Sequence, residues 1–327
     1  MSNRTPADAG QGIPGRRPPR SGATRGRRGR LTAVLAVLGV LLVAGATDAA
    51  VLADRIDRVA VTPTTGPGTT WVLVGVDSRS DLPAGASTEQ FGTADEVPGA
   101  RADVVLVAHS DGDRSTVFSV PRDVVVTAGG VSGRLALSWL HGPQSTVDAL
   151  CGLGIPTDHL VSVDLAGFAA VVNAAGGLDV DVPAPVRDSA AGLELTESGR
   201  QHLDGRTALA LVRSRQPEER VDGRWVPAPV DPDGRASAAG QVIDALVDQV
   251  QDSVLRPWRL QRVAWAASGA LTVDDGTSAR ELTSLATLDL GPVSVLPAGE
   301  PVNGTLLRFP TAATAGALAA AGLSCAG

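Results

Sequence analysis

The sequence predicts an α/β protein: three α-β-α layers around a central mixed β-sheet, preceded by one N-terminal transmembrane helix. Three observations predict it. The continuous apolar run Trp71–Val76 stops at Asp77, the pattern of a buried strand. Two more apolar runs, Val104–Ala108 and Thr116–Val120, are joined by Ser110-Asp111-Gly112-Asp113, an Asp-Gly signal for an antiparallel hairpin. Beyond them, helical patterns alternate with short strand patterns to the C-terminus, which is how layered α/β domains read.

Residues 1–30 hold eight arginines against the single acid Asp8, among many prolines and glycines, so this basic tail is expected to be disordered. It leads into Leu31–Thr47, uncharged for 17 residues, and Ala49–Leu52 can extend a span past Asp48. Arginines before the span and acids after it follow the positive-inside arrangement. Residues 31–52 are therefore expected to be a signal-anchor. The tail would lie in the cytoplasm and the rest outside a single-pass cell-membrane protein. Small residues around Ala44–Ala50 would also suit a signal peptidase, which leaves cleavage open. Residues 53–70 end in a Thr/Pro/Gly spacer and are expected to form a stem, with one extracytoplasmic domain over 71–327.

Within that domain, residues 79–100 are expected as a polar loop. Helices follow at Gln144 to about Leu150 and at Leu165–Ala175, the second stopped by Gly176-Gly177. Leu178–Val182 alternates like a strand. A short helix around Arg206–Leu211 runs into Arg213. Residues 216–234, rich in Pro, Asp and Gly, are expected as a second loop before a long amphipathic helix from about Arg235 to Val254. The C-terminal part alternates helix and strand and ends in an alanine-rich helix, Thr311–Ala321.

The chain has 28 arginines and no lysine, which excludes Schiff-base and P-loop lysine chemistry. Outside the tail remain 20 of the 28 arginines and 34 of the 35 acids, a formal charge near −14. Such an acidic body argues against nucleic acid as a partner. Cys151 and Cys325 are the only cysteines, and an exported chain with two could form one disulfide. His109, His141, His159 and His202 have no metal-ligand spacing.

Arginine with aspartate at strand ends is equipment for holding a phosphate and a divalent cation together. The candidates are Asp77, Arg101, Asp103, Arg122, Arg213, Arg215 and the isolated Arg235. Guanidinium forks match pyrophosphate oxygens, and preorganised arginines stabilise charge on a leaving phosphate. Asp77 and Asp103 suit magnesium, which takes few carboxylates and several waters; Asp77 stays divided between metal ligand and general base. Arg79 is the weakest candidate and could simply pair with Asp77.

In order, Val72–Arg79, Gly99–Asp103, Ser119–Asp123 and Gly199–Arg215 (GRQHLDGRTALALVRSR) resemble the motifs of the LytR–CpsA–Psr family, in an actinobacterial version, and Asp158–Val182 resembles its middle helix and strand. Each motif alone is weak; the ordered set, from Trp71 to about Leu255, is specific. The resemblance implies a membrane-anchored phosphotransferase of cell wall biogenesis with Mg2+ as cofactor. Its donor would be a glycan polymer linked through pyrophosphate to a polyprenol, the tail lying in an apolar tunnel between sheet and helices. The glycan and one phosphate would pass to peptidoglycan. The chain departs from the pattern at the last motif, where Arg235 is followed by Ala238 and Ala239 instead of arginine and glutamine, with Gln241 displaced. That departure keeps open a lipid-pyrophosphate binder without transfer; with water as acceptor, the same site could instead act as a pyrophosphatase on the same lipid.

Overall fold

The computed structural model describes residues 45–78, 99–112, 114–228, 233–287, 292–302 and 304–326. The chain divides into two compact units, Met1–Val51 and Leu52–Gly327. In the first, residues 45–51 are helical. Among the described residues no helix is long and apolar enough to cross a membrane, and most of the expected span, residues 31–44, lies outside them.

The second unit is a mixed α/β fold around a seven-stranded sheet. Its strands are β1 (Asp57–Val59), β2 (Thr69–Asp77), β3 (Arg101–Asp111), β4 (Arg114–Val120), β7 (His159–Asp164), β14 (Leu271–Asp274) and β15 (Val293–Val295), in the order β1-β14-β7-β2-β3-β4-β15. β2, β3 and β4 run antiparallel, as the Asp-Gly signal predicts, whereas β7 lies parallel to β2 and β15 parallel to β4. The period of two splits β2 between the faces of the sheet. Val72, Val74 and Val76 join a core with Val147 and Leu150 of helix α2 (Pro143–Leu153), next to the short helix α1 (Leu135–Ser138). Trp71 packs on the other face with Val161 and Val273, against Leu73 and Val293.

That second face is overlaid by helices α3 (Leu165–Ala175), α4 (Gly205–Arg213), α5 (Gly234–Val254) and α6 (Pro257–Ser268); α7 (Ala279–Thr287) and α8 (Ala312–Ala320) complete the unit. Asp164 caps α3 by accepting from Gly167 N (2.6 Å), and Asp204 caps α4 by accepting from Thr207 N (2.8 Å). Gly205 is needed where α4 meets α3: a Cβ there would collide with the Ala169 carbonyl oxygen. α4, α5 and strand β8 (Leu178–Val182), which pairs with β11 (Gly199–Leu203), share a second core built on Val172, Leu178, Ala208 and Val242.

Two segments differ from the sequence expectation. The expected stem, 53–70, contributes β1 to the edge of the central sheet, parallel to β14. Arg58 secures it by donating to the Thr277 carbonyl (2.9 Å), and Ile56 packs on the core around Trp71. The expected loop 216–234 contains a hairpin, β12 (Glu218–Val221) and β13 (Arg224–Pro227), paired with β9 (Val186–Asp188), which also pairs β10 (Leu193–Leu195). Its turn, Asp222-Gly223, has φ of 49° and 77°, the positive pair that a two-residue hairpin turn needs. A smaller hairpin, β5 (Val125–Ala128) with β6 (Val131–Arg134), follows Asp123. The expected loop 79–100 lies outside the described residues up to 98. Cys151 of α2 and Cys325 form a disulfide with Cα atoms 5.3 Å apart, tying the C-terminus to the core.

Candidate active site

The site begins with a flaw in the ladder. β2 and β3 pair regularly from Thr69↔Ser110 to Gly75↔Val104, and then the register shifts so that Val76 faces Ala102. Asp103 is the extra residue of a β-bulge. Bulges re-aim side chains next to functional sites. Here Ala102 turns into the core with Val105 and Val107, while Asp103 joins Val104 and Leu106 on the opposite face. Without the bulge, the alternation would send Asp103 into the apolar core beside Val105.

On that face lies a cavity of about 1150 Å³. Its floor is Leu73, Leu106, Val161 and Val163 of the sheet. Its walls are Phe168 and Val171 of α3, Leu209 and Val212 of α4, Val242 and Leu246 of α5, and Val182 and Leu193 from the smaller sheets. Asp77, Asp103, Arg122, Arg213 and Arg215 line the same cavity, so the fold brings five of the sequence candidates together. Arg101 faces Asp77 in the ladder, half-buried, but is not among the residues lining the cavity. Arg235 lies in the first turn of α5, and its side chain and the whole of Arg79 fall outside what is described.

Carboxylates hold the arginines in place. Asp103 accepts from Arg122 through Oδ1 and from Arg215 Nη2 through Oδ2 (3.1 Å), so groups from three motifs meet at one side chain. Asp77, 3% exposed, ends β2 beside them. Four further residues line the cavity that the sequence reading did not select. Asp123, 5% exposed, lies 3.7 Å from Arg122 Nε and 3.4 Å from Arg134 Nη1. Asp188, 2% exposed, accepts from Ser214 Oγ (2.9 Å), Arg215 N (2.7 Å) and Gln216 N (2.9 Å), as well as from Ala190 and Ala191 N. It therefore fixes the turn that follows Arg213 and carries Arg215. Arg308, also 5% exposed, enters from the C-terminal segment. Asp123 closes the Ser119–Asp123 motif, and Asp188 left a weaker trace, an Asp before Ser-Ala-Ala-Gly that reads equally as an ordinary Asx turn. The partners of Arg134 and Arg308 are tertiary and leave none.

Two of the histidines serve packing. His109 is buried with Nδ1 3.0 Å from Thr70 Oγ1, and burial lowers its pKa; His159 stacks on Trp71. Among the described residues no cluster of three or more His, Cys, Asp or Glu could hold a metal on its own. Two hard carboxylates beside an anion site nevertheless match what magnesium takes when phosphate oxygens complete its shell.

The fold and the site define a mixed α/β domain with an apolar cavity that ends in arginines and aspartates. The chain matches the LytR_cpsA_psr family over residues 44–287 and belongs to that family. The solved LytR-Csp2A-Psr enzyme from Actinomyces oris is 35% identical with a TM-score of 0.70, covering 83% of this chain and 97% of that one. Bacillus subtilis TagV superposes with a TM-score of 0.56 at 23% identity, over 78% of this chain and 95% of that one, a likeness of fold. In sequence, the probable cell wall biosynthesis protein LcpB of Corynebacterium glutamicum is 34% identical over 171 residues, 49% of this chain and 40% of LcpB. The polyisoprenyl-teichoic acid–peptidoglycan teichoic acid transferase TagV of Bacillus subtilis is 32% identical over 168 residues, 47% of this chain and 40% of TagV. The matched stretches thus span less than half the length of these two curated relatives.

Asp188 gives the site a pH signature. Burial alone would raise its pKa, but hydrogen bonds from Gln216, Arg215, Ser214 and Ala191 outweigh it and hold the pKa below the ordinary carboxylate value. Its contribution to stability is therefore complete above the ordinary aspartate pKa, and it is lost as pH falls through the lowered folded value. Asp188→Asn should destabilise the fold by about 1–3 kcal/mol at neutral pH. Thermal unfolding of both proteins from pH 7 to 3 should show this gap closing in acid; a gap independent of pH would rule out the carboxylate as its source.

Proposed function

We propose that the protein transfers a polyprenyl-pyrophosphate-linked glycopolymer, with one phosphate, onto peptidoglycan in cell wall assembly and releases polyprenyl phosphate. One observation carries this reading: an apolar cavity of about 1150 Å³ whose polar end is built from Asp77, Asp103, Arg122, Arg213 and Arg215. A long isoprenoid needs such a cavity to leave water, and a pyrophosphate needs the arginines. The names of the relatives, cell wall biosynthesis proteins and teichoic acid transferases, support the same class of reaction.

The chemistry follows from the charges. An acceptor hydroxyl oxygen attacks the phosphorus that carries the glycan, and the bond from that phosphorus to the bridging oxygen breaks. Negative charge then grows on the departing polyprenyl phosphate. Arg122 and Arg215, oriented by Asp103, meet this charge without having to reorganise, and Arg213 joins them from the last turn of α4. Asp77 at the cavity wall is the base candidate for the hydroxyl proton. Magnesium would be held by Asp77 and Asp103 and would neutralise charge on the pyrophosphate oxygens. Ala238 and Ala239 present only methyl groups to the same cavity, which favours lipid binding without transfer as the second reading.

Arg122→Ala and Arg213→Ala should each cost about 1.5–3 kcal/mol in binding a polyprenyl pyrophosphate or in turnover, while exposed Arg256→Ala should change little. Incubation with lipid-linked polymer and peptidoglycan should yield polymer on peptidoglycan. Free phosphorylated polymer would indicate a pyrophosphatase instead, and unchanged lipid a binder. Equal binding and turnover in all three variants would remove the site assignment.

We also propose that the tail lies in the cytoplasm and the catalytic unit outside, on one membrane helix over residues 31–52. The arginine-rich residues 1–30 and the Cys151–Cys325 disulfide, a bond that persists in oxidising compartments, support this. Protease added to sealed protoplasts should digest the unit after residue 70 and spare the tail. Protection of that unit would reverse the topology.

A further inference from the structure

Among the described residues, the α5 side of the cavity carries no charged side chain. Its described lining residues at the start of the helix are Ala236, Ala238, Ala239 and Gln241, and Ala239 is 2% exposed. Among the described residues, a cation reaches this wall from Arg308, about 50 residues beyond the end of that helix and past residue 287, where the family match stops.

Arg308 is fixed from both ends. Its backbone joins the segment after Arg122: Arg308 N donates to the Asp123 carbonyl (3.1 Å), and Val125 N donates to the Arg308 carbonyl (2.8 Å). Its guanidinium donates through Nε to the Gly299 carbonyl (2.8 Å), through Nη2 to the Ala298 carbonyl (3.1 Å), and through Nη1 to Asp233. Asp233 stands at the N-cap of α5 yet makes no side-chain cap there; it turns to Arg308 instead. The side chain is 6% exposed. A buried guanidinium with fixed orientation, in the wall that also holds Arg122, is a preorganised anion ligand.

We infer that Arg308 is a further pyrophosphate-binding residue, the cation that compensates for Ala238 and Ala239 on α5. The inference rests on the proposed lipid-pyrophosphate site and deepens it. A guanidinium that only clamped the start of α5 to the C-terminal segment would matter equally to every ligand of the cavity. A phosphate ligand matters in proportion to ligand charge, and its loss can be repaired from a neighbouring position.

The test measures the affinity of the full chain in detergent for geranyl pyrophosphate, geranyl monophosphate and geraniol. Arg308→Gln should weaken the pyrophosphate about tenfold, the monophosphate less, and geraniol not at all. Adding Ala238→Arg in that background should recover most of the lost pyrophosphate affinity. In the wild-type protein, where folding is not in question, the Arg308 Nε–H resonance should shift with geranyl pyrophosphate and stay put with geraniol. Equal weakening of all three ligands, no weakening, or an unmoved resonance while pyrophosphate binds would overturn the role of Arg308 and leave the site reading intact. A wild-type protein that bound geraniol but neither phosphate would instead overturn the site reading, and this inference with it.

Discussion

The site depends on Asp103 receiving two arginines from distant parts of the chain. Arg122 lies 19 residues away and Arg215 lies 112 residues away, and both meet its carboxylate. Two features make the meeting possible. The bulge between β2 and β3 turns Asp103 out of the core, and Asp188 holds the backbone turn from Ser214 to Gln216. Half-buried ion pairs of this kind add little net stability, because desolvation offsets most of the attraction. Their effect is geometric: each guanidinium has one orientation before any ligand arrives. The desolvation cost is therefore met during folding, and an incoming anion finds its donors already in position.

The apolar half of the cavity follows from a different constraint. Leu73, Leu106, Val161 and Val163 face the cavity because the strand period puts them opposite the buried valines of the other face. α3, α4 and α5 stand off from the sheet here and leave a volume of about 1150 Å³. Cavities in closely packed proteins are few, and one this large beside fixed charges calls for a ligand with both characters. Each methylene moved from water into it would contribute about 0.8 kcal/mol, so under the proposed function a prenyl tail would supply affinity and the arginines position.

What the sequence revealed is what local pattern determines. β2, the β3–β4 hairpin, α3 and α5 follow from apolar runs, an Asp-Gly turn and glycine stops, and their residues write the signal directly. Asp77, Asp103, Arg122, Arg213 and Arg215 were legible because each sits at an element end within an ordered set of motifs. β1 was hidden because an edge strand of three residues carries no periodicity, and only its pairing with β14 makes it a strand. The β12–β13 hairpin had its Asp222-Gly223 signal, masked by the prolines around it. Arg134 and Arg308 could not be selected, because their partners lie in other elements; Asp123 ends a recognised motif and Asp188 opens what reads as an Asx turn, but neither signal shows that the side chain lines the cavity.

The most direct measurement is a crystal structure of the catalytic unit with a polyprenyl pyrophosphate and magnesium. Expected are phosphate oxygens within about 3 Å of Arg122, Arg213 and Arg215, the prenyl chain running between Leu73, Phe168, Leu209 and Val242, and the cation at Asp77. A head group bound away from these arginines, or a prenyl chain lying outside the cavity, would contradict the account.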